Sequence, residues 1–166
     1  PDRTVPGVEV GTGSLGQGLS IALGMALAAR LDKRVSRVYA LMGDGEQQEG
    51  QVWEATMAAG HYRAANLCAV VDKNRLQIDG STEKIMNINP LPDKYRAFGW
   101  NVIEINGHSF TEIRAGFLAA RGYGSGPTVL IAHTTKGKGI SFMENSLEFH
   151  GRALTAVEIG KALKEL

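Results

Sequence analysis

The chain has 166 residues, with 18 basic residues against 17 acidic ones and a formal net charge of +1. That length leads us to expect one domain over 1–166 with a sizeable core, and the charge balance gives no electrostatic case for nucleic acid or a membrane surface. No stretch reaches the roughly 18 apolar residues a membrane span requires, the opening Pro1-Asp2-Arg3-Thr4 does not read as a secretion signal, and the single cysteine, Cys68, fits a reducing cytoplasm.

Glycine stands out at 21 residues, clustered at 7–18, 43–50, 122–126 and 137–139, where tight turns or close backbone approaches are expected. The first cluster contains Gly11-Thr12-Gly13-Ser14-Leu15-Gly16, a G-x-G-x-x-G pattern, before a helix predicted over residues 15–31. A dinucleotide fingerprint needs an acidic residue at the end of the second strand, about 20 residues on. Asp32 has that spacing but lies in the polar stretch after the helix, so the context fails. Two readings stay open: a glycine-rich turn capping the helix, or a turn whose backbone lies against a cofactor ring. Residues 19–29 hold one polar residue, Ser20. A helix apolar all round is either central to the core or packed on a partner chain.

A strand is predicted over 38–42, a helix over 46–60 and a second strand over 67–71, with Cys68 inside it as a small core residue. Residues 74–92 read as a long connection carrying Asp79-Gly80, Pro90 and Pro92. A third strand is predicted over 102–105, and Ser109 with Glu112 forms a capping box for a helix over 110–121. The fourth strand is predicted over 129–132, a second long connection over 134–151, and a last helix over 156–166 behind Thr155 and Glu158. Long connections of this kind are usually functional. Three of the strands are nearly continuous apolar runs, which suits a parallel sheet covered on both faces. The expected class is α/β: a doubly wound, mainly parallel sheet with helices on both faces.

The most informative pair of residues is Asp44, in Gly43-Asp44-Gly45, and Asn74 thirty positions later, each just past an apolar run. A carboxylate, an amide oxygen and the backbone carbonyl of Leu76 would supply half an octahedron of oxygens. The rest is left to water and a diphosphate, as Mg²⁺ (or Ca²⁺) is commonly shared. Gly45 and Glu46 open the next helix, whose free N–H groups can receive a phosphate. Asp72 and Asp79 are competing carboxylates, read as solvated loop acids, and Glu49 reads as a surface carboxylate favoured by the helix dipole. His150, before Gly151, is a candidate phosphate or substrate contact and His108 a weaker one, while His61 and His133 read as structural. Lys136, among Thr134-Thr135-Lys136-Gly137-Lys138-Gly139, could reach a diphosphate, against the default of an exposed loop lysine.

Gly7–Gly18, Gly43-Asp44-Gly45-Glu46-Gln47-Gln48-Glu49-Gly50, Asp72–Gly80, Lys136–Gly139 and His150-Gly151 together resemble transketolases, in particular the N-terminal, diphosphate-binding subunit of the split bacterial type. The resemblance implies the thiamine-diphosphate-binding fold and roles for individual residues. Asp44, Asn74 and Leu76 would hold Mg²⁺. Gly43, Gly45, Glu46, Lys136 and His150 would lie at the diphosphate, Gly13 and Leu15 at the aminopyrimidine, and Ile78 at the thiazolium. Glu49 resembles the family glutamate that meets a partner glutamate across the dimer, and residues 19–29 would belong near that interface. His150 and Glu49 are thereby the catalytic candidates.

The implied reaction is transfer of a two-carbon ketol unit between sugar phosphates, in a cytoplasmic oligomer of the pentose-phosphate type. It would need a C-terminal subunit carrying the pyrimidine-binding domain. Family subunits begin well upstream of Pro1, which makes the chain look N-terminally shortened, and the usual Asp-Gly-His reads Asn106-Gly107-His108 here. Two alternatives stand beside this reading: a remnant or cofactor-binding module without catalysis, and another thiamine-diphosphate enzyme, such as a deoxyxylulose-phosphate synthase-like or sugar-sulfonate transketolase.

Overall fold

The computed structural model describes residues 5–166, and Pro1–Thr4, where the secretion-signal reading falls, lie outside the described residues. A parallel sheet of four strands forms the centre, in the order β1 (Val38–Gly43), β2 (Leu67–Lys73), β6 (Thr128–His133), β5 (Asn101–Asn106). All four lie within two residues of the predicted runs. Helices α1 (Gln17–Leu31), α2 (Gly50–His61) and α4 (Leu91–Ala97) pack on one face, and α5 (Phe110–Gly122) on the other. The remaining elements are a two-stranded hairpin of β3 (Leu76–Gln77) and β4 (Gly80–Ser81), a single turn α3 (Thr82–Ile85), and α6 (Ala156–Ala162).

The two faces are unequally filled. Under α1, α2 and α4 the core takes in Leu19, Leu23, Met42, Val52, Val71, Val129 and Ile131, with Tyr95, Trp53 and Trp100 in edge contacts above them. A fully buried aliphatic side chain of this kind contributes roughly 1.5–3 kcal/mol. The α5 face holds only Cys68, Ala120 and Leu130, with Val70, Ile103 and Phe117 beside them. Cys68 is the small core residue expected, and burial pushes its thiol up to about 11. The coverage expected on both faces holds for β2 and β6 but not for β1, whose Tyr39 and Leu41 are 52% and 77% exposed.

Several boundaries depart from expectation. The helix predicted over 46–60 is broken into a 3-10 turn, Gly45–Gln48, and α2, because Glu49 is extended (φ −73°, ψ 128°). The Gln47 carbonyl, which a continuous helix would offer to a backbone N–H, accepts from Trp53 Nε1 at 2.9 Å. Helix α4 was hidden because Pro90 and Pro92 read as breakers, yet proline is tolerated in a helix's first turn. The last helix stops at Ala162, and Glu165 turns back to the Ser141 hydroxyl at 2.9 Å. Thr155 and Glu158 make both bonds of a capping box. Ser109 makes only its half, since the Glu112 carboxylate accepts from Asn106 N–H instead.

Helix α1 answers its two readings in part. Leu19, Ala22, Leu23, Ala26 and Ala29 are buried in the core, while Ile21 and Met25 on the opposite side remain partly exposed. Among the described residues no strand precedes the G-x-G-x-x-G turn, as expected from the failed dinucleotide context, and no helix is long and apolar enough to cross a membrane.

Candidate functional site

Strand β1 ends at Gly43 and β2 at Lys73, in register with Gly43 opposite Asp72, so Asp44 and Asn74 emerge side by side beyond the carboxyl ends. Open α/β sheets place ligands at that edge. Asp44 is 1% exposed. Its N–H donates to the Asp72 carbonyl at 3.1 Å. Its Oδ1 accepts from Gly45 N–H at 2.9 Å and its Oδ2 from Arg75 N–H at 2.6 Å. Arg75 reaches this position with a left-handed backbone (φ 67°), which turns its N–H towards the carboxylate. Burial pushes the Asp44 carboxyl above its ordinary range; the two N–H donors oppose this and the nearby Asp72 charge adds to it. No ion pair reaches Asp44 among the described residues.

Asn74 Oδ1 accepts from Leu76 N–H at 2.9 Å, fixing the turn that enters the β3–β4 hairpin. The hairpin lies close over the Asp44 turn: a Cβ on Gly45 would sit 3.1 Å from Gln77 Cβ, and Gln48 Nε2 donates to Gln77 Oε1 at 2.6 Å. Ile78, at the hairpin tip, is 71% exposed. Asp72 is not the solvated loop acid expected. It belongs to β2, and its carboxylate accepts from Thr134 Oγ1 of the neighbouring strand's exit.

Glu46 turns its carboxylate inward. Oε1 accepts from Gly16 N–H at 2.9 Å and Oε2 from Gly43 N–H at 3.1 Å. Gly16 caps α1 with φ 85°, and a Cβ there would lie 2.9 Å from Glu49 Cβ, so only glycine suits both demands. Gly13 and Leu15 are exposed on the turn before it, and Glu49 is exposed beside it. Gln47, 1% exposed, donates from Nε2 to the Gly43 carbonyl at 3.0 Å and accepts from Tyr95 Oη at 2.7 Å. Burial pushes the Tyr95 phenol up. Gly45 N–H, expected to be free for a phosphate, is committed to Asp44.

The first residues after β6 are joined through their backbone. Thr135 N–H donates to His108 Nε2 at 2.7 Å, and Gly107 N–H to the His133 carbonyl at 2.8 Å. Lys136 is pinned only through its carbonyl, which accepts from Asn145 N–H at 2.9 Å, and its ammonium makes no ion pair among the described residues. His150 closes a 3-10 turn, Leu147–His150, that abuts β3, which brings it to the Leu76 side of the site while leaving it exposed. Of the histidines read as structural, His133 pairs with Glu104 at 2.9 Å and His61 packs edge-on against Tyr62. A cavity of about 790 Å³ joins Asn74 and Leu76 to His108, Thr134, Thr135 and Lys138.

The structure thus brings together Gly43, Asp44, Gly45, Glu46, Asn74 and Leu76, with the Gly13–Leu15 turn tied on through Gly16 and His150 reached through β3. No bond joins Lys136 to that group among the described residues. Sequence reasoning missed Arg75, Gln47 and Tyr95. Gln47 carried one usable signal, a glutamine beside a glycine turn, whereas a pair 48 residues apart leaves none. Among the described residues no three His, Cys, Asp or Glu side chains cluster as a metal site. The donor set is all-oxygen: one carboxylate, one amide and one carbonyl. That chemistry suits a hard divalent cation, and a buried carboxylate without a cationic partner fits one.

A strand-end acid and a glycine turn at the carboxyl edge of an open parallel sheet are what cofactor-binding α/β domains present. Residues 1–166 match the family described as transketolase, thiamine diphosphate binding domain, and the chain belongs to that family. It is 46% identical over its whole length to an apulose-4-phosphate transketolase subunit of Phocaeicola vulgatus, covering 59% of that protein. It is equally 46% identical, over 99% of its length and 59% of the relative's, to the 6-deoxy-6-sulfo-D-fructose transketolase subunit SqwG of a Clostridium species. The crystal structure of transketolase from Campylobacter jejuni superposes with a TM-score of 0.90 at 34% identity, over 96% of this chain and 26% of that one. The chain therefore spans about three fifths of the length of these two curated relatives.

Proposed function

We propose that this chain supplies the thiamine-diphosphate- and Mg²⁺-binding part of a split transketolase that transfers a two-carbon ketol unit between sugar phosphates. The observation that carries the reading is Asp44: a buried carboxylate without a cationic partner, beside Asn74, at the ligand edge of a sheet in this family. Asp44, Asn74 and the Leu76 carbonyl would hold the metal. Gly43, Gly45, Lys136 and His150 would face the diphosphate. Gly13 and Leu15 would lie against the pyrimidine, and the exposed Ile78 against the thiazolium. When bound, the cofactor supplies the carbanion chemistry that no side chain of this chain offers.

The relatives named as transketolase subunits support a separate partner bearing the pyrimidine-binding domain. Glu49 and the exposed side of α1, with Ile21 and Met25, would face another chain in such an assembly. Calorimetry with Mg²⁺ and thiamine diphosphate, followed by a ketol-transfer assay with the partner subunit, tests the reading. Absence of metal-dependent cofactor binding in the full complement would overturn it. A second reading, in which the donor is an unusual ketose phosphate or sulfo-sugar, is favoured by the names of the two relatives at 46% identity. Profiling donors in the same assay separates the two.

A further inference from the structure

We propose that Glu46 is a positioning residue that sets the distance between the two ends of the cofactor cradle. The inference rests on the cofactor reading above, in which the Gly13–Leu15 turn meets the pyrimidine and the Gly43–Gly45 turn serves the metal and diphosphate. One carboxylate spans both turns: Oε1 accepts from Gly16 N–H at 2.9 Å and Oε2 from Gly43 N–H at 3.1 Å. Among the described residues, the Gly16–Glu46 bond is the only hydrogen bond joining residues 11–16 to an element other than α1. The other bonds there, Thr12 Oγ1 to the Ser14 carbonyl and Gln17 Nε2 to Ser14 Oγ, are local.

Helix α1 provides no substitute. It has no side-chain cap and no acidic residue in its first turn, so its positive end is met by a carboxylate thirty residues downstream. Glu46 also holds its own neighbour. Its carbonyl accepts from Glu49 N–H at 3.1 Å, and a Cβ on Gly16 would lie 2.9 Å from Glu49 Cβ. Thr12–Leu15 are exposed, while Gly16 is buried at the head of α1, so the Glu46 carboxylate is the polar tie between this turn and the Gly43 turn.

The test compares two ligands in the chain assembled with a pyrimidine-domain subunit: thiamine diphosphate with Mg²⁺, and inorganic diphosphate with Mg²⁺, which engages only the metal turn. Glu46→Gln keeps the shape but turns an amide donor towards one N–H, and Glu46→Asp is too short to span both. Each variant should bind thiamine diphosphate about tenfold or more weakly, with inorganic diphosphate changed by less than about threefold. Variants that bind thiamine diphosphate as the wild type does, or lose both ligands by the same factor, overturn the inference. Loss of folding in both, read by circular dichroism, also overturns it by making Glu46 structural. If the wild type binds neither ligand, the cofactor reading itself falls and takes this inference with it.

Discussion

The two segments beyond the strand ends are built on opposite plans. In Asp44–Gln47 the side chains point inward: Asp44 and Gln47 are buried, and Glu46 is bonded through both oxygens. In 134–151 the backbone is tied, through Thr135 to His108 and Asn145 to Lys136, while the Lys136 ammonium makes no ion pair among the described residues and His150 is exposed. The first segment is organised before any ligand arrives. The second fixes its path and, in the proposed reading, leaves Lys136 and His150 to be ordered on binding. Preorganised groups lose little entropy when a ligand comes, and free ones lose more. The Asp44 turn should therefore carry most of the affinity, and the later segment should adjust it.

Removing Asp44 gives the largest effect expected from that contrast. At a free ligand concentration of about 100 times Kd, a folded-state ligand adds about 2.7 kcal/mol of stability. The wild type should show such a gain with Mg²⁺ and thiamine diphosphate in a melting experiment, and Asp44→Ala should show none. Asp44→Asn, which preserves volume, should fail in the same way. A full gain in either variant would remove Asp44 from the metal set. The next effect is on stability alone. Tyr95→Phe leaves the buried Gln47 Oε1 without its donor and should cost about 1–3 kcal/mol in denaturant unfolding. A cost below about 0.5 kcal/mol would show that the Gly43 turn does not depend on this buttress.

The contrast also explains what could be read without coordinates. The strands were legible because fully buried parallel strands are continuous apolar runs, and 67–71 and 129–132 are nearly all aliphatic. The strand-end places of Asp44 and Asn74 were legible because each lies within three residues of an apolar run. The inward turn of Glu46 and the Gln47–Tyr95 bond were not, since each depends on where a distant element packs. Helix α4 escaped because prolines mark the start of a helix as readily as its end. The bare Tyr39 and Leu41 face could not be foreseen either, because an apolar run states that a strand is covered and not by what.

In the outward-facing segment the effects should be smaller. Lys136→Ala and His150→Ala should each leave the ligand-free stability within about 0.5 kcal/mol, as surface substitutions do, while weakening thiamine diphosphate binding about three- to tenfold. A larger loss of ligand-free stability would mean that the segment is as preorganised as the Asp44 turn.

The smallest effect lies where the outward segment is finally anchored. Arg152 joins Glu148 at 2.7 Å and Glu158 at 2.8 Å and lies over the Phe149 ring at 4.5 Å, so it ties the turn carrying His150 to α6. The Arg152 guanidinium, with the Thr155 N–H and hydroxyl, lowers the Glu158 carboxyl from 4.5 to about 2. A carboxylate whose folded value is depressed contributes stability that is complete above its unfolded value and disappears as the pH falls through the folded one. The tie should therefore hold above 4.5 and be lost between 4.5 and about 2. Side-chain carboxyl shifts followed by NMR should place the Glu158 midpoint near the lower limit, with α6 amide exchange rising over the same window. A midpoint at the ordinary value would mean that Arg152 does not hold Glu158 in solution. The His150 turn would then be anchored chiefly by Phe149, which packs edge-on against Phe142 at 5.7 Å.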